Sequence, residues 1–112
     1  MSQFIGPFDV SSTLTGETHH VRFSHLWNAI TTRHSDTIDC KFFVDGCGIV
    51  VALAHTAFAK FRELAERNLT DREASYIAAE YLRGRLQEED ERPLYNVSAE
   101  EISELIHRLG IL

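Results

Sequence analysis

The sequence predicts an α+β fold: a small antiparallel sheet built around a central hairpin and covered by helices. Two observations carry this expectation. Residues 37–53, TIDCKFFVDGCGIVVAL, place an Asp-Gly pair between two apolar runs. That is the pattern of a hairpin closed by a two-residue type I′ turn. Further on, residues 57–109 hold three stretches whose apolar residues recur every three or four positions, as on one face of an amphipathic helix. The chain has 112 residues, 44% hydrophobic and 25% charged. That suffices for one core, and residues 1–112 are expected to form one domain.

The Asp45-Gly46 turn sets the hairpin register. Val44 falls opposite Cys47, Phe42 opposite Ile49, Cys40 opposite Val51 and Ile38 opposite Leu53. Strand side chains alternate between faces, so these eight residues share one face, and all are apolar. The other face, with Asp39, Lys41, Phe43, Gly48, Val50 and Ala52, is mixed. A longer loop over residues 45–48 would keep the same inward set but expose Cys47. In the tight register the two cysteines lie about 13 Å apart along the strands, beyond the ~7 Å between Cα atoms that a disulfide allows. Both thiols are therefore expected to pack as small hydrophobes, with no redox or metal role.

The first helix is expected over residues 57–67, with Thr56 as N-cap and Phe58, Phe61, Leu64 and Ala65 as its apolar stripe. The second, over 71–89, opens with Thr70 and Glu73 in a capping box and Leu69 stapled onto Ala74. Its stripe is Ala74, Ile77, Ala78, Tyr81, Leu82 and Leu86. Pro93 disfavours helix at Arg92. Gly84 interrupts the helix at a cost of ~1 kcal/mol relative to alanine. The third helix, over 99–109, opens with Ser98 and Glu101 in a second capping box and Val97 stapled onto Ile102. Ile102, Leu105, Ile106 and Leu109 form its stripe, and Gly110 suits the position after the helix. Residues 94–97 read as an extended link.

The first third is less regular. FDVSSTL, residues 8–14, and THHVRFSHL, residues 18–26, read as strands joined at Thr15-Gly16-Glu17, with only partial alternation. SHLWNAITTRH, residues 24–34, competes as a short helix with Leu26, Trp27 and Ile30 inward.

Charge narrows the function classes. There are 11 Lys+Arg against 17 Asp+Glu, a net charge of −6. A deficit of positive charge disfavours phosphate backbones and anionic membrane surfaces, and it suits a basic partner. No apolar run approaches the ~20 residues of a membrane-spanning helix. The opening MSQFIGPFDV lacks a basic region followed by an apolar one, so no signal peptide is read. With only two cysteines, a cytoplasmic protein is expected.

Candidate chemistry begins with histidine. His19, His20, His25 and His34 lie near Asp36, Asp39 and Cys40, residue types that could hold a transition metal. Their spacing matches no ligand signature. On a strand, His19 and His20 would point to opposite faces, while His19 and His25 would share a face about 20 Å apart. His55 stands at the strand-to-helix junction without a G-x-S-x-G motif. His107 falls in the last helical turn, where a partly charged imidazole suits the dipole. The carboxylates of residues 88–91, with Glu100, Glu101 and Glu104, read as solvated. Phosphate-binding glycine loops are absent. Residues 58–85 could form a helix-turn-helix, but acids interleave with the bases along both helices.

No catalytic, cofactor-binding or metal-ligating residue is assigned on this basis. The expected function is a non-enzymatic protein–protein interaction or regulatory module. It would self-associate as a homodimer through helix three or a sheet edge, or take a basic partner protein. The competing class is a small-molecule or metal-binding protein, an enzyme included, using His19, His20, His25, His34 or His55 in a pocket. A DNA-binding helix-turn-helix ranks below both.

Overall fold

The structure is a computed structural model that describes residues 4–29 and 36–112. Strands β3 (Thr37–Val44) and β4 (Cys47–Ala54) form the expected hairpin, in the expected register from Ile38↔Leu53 to Val44↔Cys47. Asp45 and Gly46 both adopt left-handed φ angles, 51° and 86°, as a type I′ turn requires. Seven of the eight inward residues are buried. Cys47 is the exception: it keeps its register position opposite Val44 but is exposed. The next strand pairs with β4 only from Val50 onward, so Cys47 lacks a strand neighbour on that side.

That next strand is β5 (Leu94–Val97), which runs parallel to β4. The segment read as an extended link is thus the fifth strand of the sheet. On the other side, β1 (Phe8–Ser11) and β2 (Thr18–Ala29) pair antiparallel, and the strand order is β1-β2-β3-β4-β5. β2 stays extended through Ala29, so no helix forms over 24–29; residues 30–34 of the competing helix, with His34, lie outside the described residues. The pairing of β2 with β3 shifts register between Phe23 and His25. A bulge of this kind adds one residue and reverses the side-chain parity. Val21 and Phe23 pair with inward Val44 and Phe42 before it, and Leu26 pairs with inward Cys40 after it. The partial alternation of the sequence is this bulge at Ser24.

Three helices complete the chain: α1 (His55–Ala65), α2 (Asp71–Gln87) and α3 (Ala99–Arg108). α1 starts two residues earlier than expected, straight off β4, with Ala54 at the N-cap position and no side-chain cap. Thr56 therefore lies inside the helix. The direction in which β4 delivers the chain turns Ala57 and Phe61 inward and leaves Leu64 63% exposed. Both capping boxes form, at Thr70/Glu73 and Ser98/Glu101. α2 ends at Gln87, two residues before its expected end, because Glu89 turns left-handed with φ 57°.

α2 is the main cover of the sheet, in contact with β1 through β4. Every residue from Glu73 to Leu86 is buried or half-buried. Its one fully buried hydroxyl is satisfied: Ser75 Oγ donates to the Arg72 carbonyl at 2.7 Å and accepts from the Ile5 N–H at 3.2 Å. α3 packs against α1, α2 and β4, and Ile102, Leu105 and Ile106 join the buried cluster. Three of the four residues of the α3 stripe thus lie inside the fold, and Leu109 is half-buried. All five strands and all three helices contribute buried residues to one hydrophobic cluster. No helix of the described residues is long and apolar enough to cross a membrane.

Gly84 needs no glycine-specific conformation, and a Cβ built there meets no atom within 4 Å. Gly84→Ala is expected to stabilise the protein by about 0.5–1 kcal/mol through helix propensity and a less flexible unfolded chain. A urea melt that shows no gain would contradict this.

Candidate functional site

Two regions stand out: a buried histidine at one end of the sheet, and the sheet face that carries no helix. The first is assembled by three chain segments. In the β1–β2 turn, Ser12 Oγ accepts from the Leu14 and Thr15 N–H groups, both at 3.1 Å. Thr13 donates its N–H and its hydroxyl to the Gln87 carbonyl at the end of α2, each at 2.9 Å. In the β3–β4 turn, the Asp45 N–H donates to the His20 carbonyl, and Asp45 Oδ1 accepts from the His20 N–H, both at 2.9 Å. The loop after α2 is tied by Tyr95, whose hydroxyl donates to the Asp90 carbonyl at 2.6 Å and accepts from the Arg92 N–H at 3.0 Å.

His19 sits where these segments meet and is only 6% exposed. Its Nδ1 lies 2.8 Å from Asp45 Oδ2 and its Nε2 lies 2.8 Å from Glu89 Oε2. Asp45 and Glu89 both have positive φ, Asp45 at a turn position that favours Asn, Asp and Gly and Glu89 past a helix end where glycine is commonest. Glycine at either position would remove a carboxylate from His19. Hydrogen bonds to Asp45 and then to Glu89 outweigh burial and push the His19 pKa up to about 9. At neutral pH the ring is an imidazolium, and both its N–H groups donate. The Asp45 carboxyl is held below its usual range, first by the His20 N–H and then by His19. Glu91 is close as well: one donor atom from each of His19, Glu89 and Glu91 lies within 4.8 Å of the others.

The other histidines scatter. His20 faces the opposite side of β2, exposed, with Nδ1 2.8 Å from Asp9 Oδ1. The bulge puts His25 on that same outer side, opposite Lys41 and with its ring centroid 5.1 Å from that of Trp27. His19 and His25 therefore do not share a face, contrary to the regular-strand expectation. His55 is exposed at the β4–α1 junction, stacks on Phe58, and lines a cavity of about 510 Å³ with Arg62, Glu63 and Asp71. His107 is exposed on α3. Cys40 is a buried free thiol; burial, then the Asp39 and Asp71 charges, push its pKa up to about 12. A thiol so held is no nucleophile.

Sequence reasoning missed the partners of His19. Asp45 was read as a turn former and Glu89 as one of a solvated acidic run. They lie 26 and 70 residues from His19. A signal was present in the acidic residues that end α2 where a glycine would be commoner.

The second region is the outer face of the sheet. Register places Arg22, Phe43 and Gly48 in one cross-strand row, His25, Lys41, Val50 and Leu94 in the next, and Trp27, Asp39, Ala52 and Asn96 in a third. Trp27 is 37% exposed and Leu94 48%. The Arg22 guanidinium and the Lys41 ammonium lie 4.6 and 5.2 Å from the Phe43 ring centroid. Among the described residues neither cation has a carboxylate within ion-pair distance, and neither does Asp39 have a cation. Comparison with protein-family models, with curated proteins and with solved structures finds no match.

Proposed function

We propose that the protein is a non-enzymatic interaction module that self-associates through the outer face of its sheet. One observation carries this reading: Trp27, Phe43, Val50 and Leu94 lie on the side of the sheet opposite the helices that bury the core. An apolar surface rimmed by polar groups is the usual mark of a contact surface. A second copy is the occupant that fits. A two-fold interface must be self-complementary, because each side offers the same patch. This face holds charges of both signs with no ion-pair partner among the described residues, Arg22 and Lys41 with Asp39. In a face-to-face pair, cations of one copy can meet the carboxylate of the other. The same cations count against the basic partner that the net charge favoured. Two sheets packed in this way lie ~10 Å apart and bury roughly 800 Å² per copy in a stable complex.

Trp27 is the sole tryptophan of the chain, so its fluorescence reports on this face directly. Light scattering across a concentration series should show a dimer, with Trp27 emission shifting to the blue as it forms. Leu94→Glu should remove both effects and leave the melting curve of the dilute, monomeric protein unchanged. A monomer at every concentration, or a dimer indifferent to Leu94→Glu, would overturn the reading.

A further inference from the structure

We propose that His19, Glu89 and Glu91 form a binding site for a divalent first-row transition metal ion. The site lies at one end of the sheet, between the β3–β4 turn and the end of α2, and does not depend on the outer face. Three features of the geometry point to it. One donor atom from each of the three residues lies within 4.8 Å of the others, a spacing that one ion can bridge. His19 Nε2 and Glu89 Oε2 are 2.8 Å apart. Two donors in tetrahedral array around a zinc ion, with bonds of about 2.0–2.2 Å, would stand about 3.4 Å apart, so the pair would open by about 0.6 Å. An ion can therefore replace the shared proton with little movement of either side chain. The ring is also aimed. Asp45 Oδ2 holds Nδ1 at 2.8 Å, and Asp45 Oδ1 is itself held by the His20 N–H at 2.9 Å. A carboxylate on the far nitrogen of a ligating histidine fixes its orientation and raises its basicity, and loss of such partners typically weakens metal binding 10–100-fold.

The donor set identifies the class of ion. One imidazole nitrogen with two carboxylate oxygens suits zinc and its first-row neighbours better than calcium, which takes six to eight oxygens. Three protein ligands leave the remaining positions to water. Two carboxylates and one neutral imidazole carry two negative charges, which a divalent ion neutralises. Binding would release the proton that His19 shares with Glu89.

The test is calorimetric titration of zinc into the full-length, chelator-treated protein. The expected result is one saturable site per chain and a raised melting temperature. Glu89→Gln and Glu91→Gln should each weaken that site at least tenfold. His107→Ala, which removes an exposed histidine on α3, should leave it unchanged. Glu91 is exposed and makes no hydrogen bond to His19, so the Glu91→Gln result decides the matter should Glu89→Gln fold poorly. No saturable site, or one that Glu91→Gln leaves at wild-type affinity, would overturn the proposal and leave the cluster a structural ion triad.

Discussion

Replacing Phe42 with alanine should cost about 3–5 kcal/mol of unfolding free energy, while the same change at Phe43 should cost about 1 kcal/mol. The two residues are neighbours on β3 but stand on opposite faces. Phe42 is fully buried and meets Phe23 edge to face, with ring centroids 5.4 Å apart. Its removal would leave a cavity in the centre of the core. Domains are stable by only ~5–15 kcal/mol, so Phe42→Ala should be close to unfolding at physiological temperature. Phe43 is half-buried on the outer face beneath Arg22 and Lys41. Its loss removes a ring that solvent and those two chains can partly replace. Urea unfolding of dilute protein would measure both. Equal losses would mean that the outer face is as enclosed as the core, and would remove the surface proposed for self-association.

The second large effect concerns pH. With chelator present, the stability contributed by His19 should be complete below pH 6.5 and should vanish as pH rises through about 9. The sign follows from linkage. The folded-state pKa lies above the ordinary value, so folding favours the imidazolium, and deprotonation removes that preference. A shift of this size corresponds to roughly 3 kcal/mol at most. Solvent screens the pair with Asp45, whose side chain is 44% exposed, and a realistic figure is about 1–2 kcal/mol. The groups facing the ring are Asp45, Glu89 and Glu91. On the acid side, the lowered Asp45 carboxyl adds a separate loss as it is protonated. The quantity to measure is the stability difference between the wild type and His19→Gln from pH 6 to 10. It should shrink steadily, since other alkaline titrations are common to both proteins. A constant difference would show that the triad does not hold an imidazolium.

The histidines show where sequence reasoning stops. Four of them cluster along the first third of the chain, and their crowding raised a shared site only as the competing reading. Opposite strand faces and the bulge at Ser24 disperse the described ones. The one that becomes enclosed, His19, takes its partners from the hairpin turn and from the end of α2. Proximity along the chain was a poor guide because a strand sends consecutive side chains apart.

What the sequence by itself determined is local. The Asp45-Gly46 turn and the hairpin register depend on residues a few positions apart, and so do the two capping boxes. Turn chemistry and capping act over that range, so they can be read without the fold. The apolar stripe of α2 was also legible, because helical periodicity alone marks its buried side. Tertiary structure decided the rest: the parallel pairing of β5 with β4, the rotation of α1 that exposes Leu64, the burial of the α3 stripe, and the meeting of His19 with Glu89. Each depends on how a helix layer settles on a sheet. That settling is governed by the packing of many side chains distant in sequence, and no short stretch of the chain encodes it.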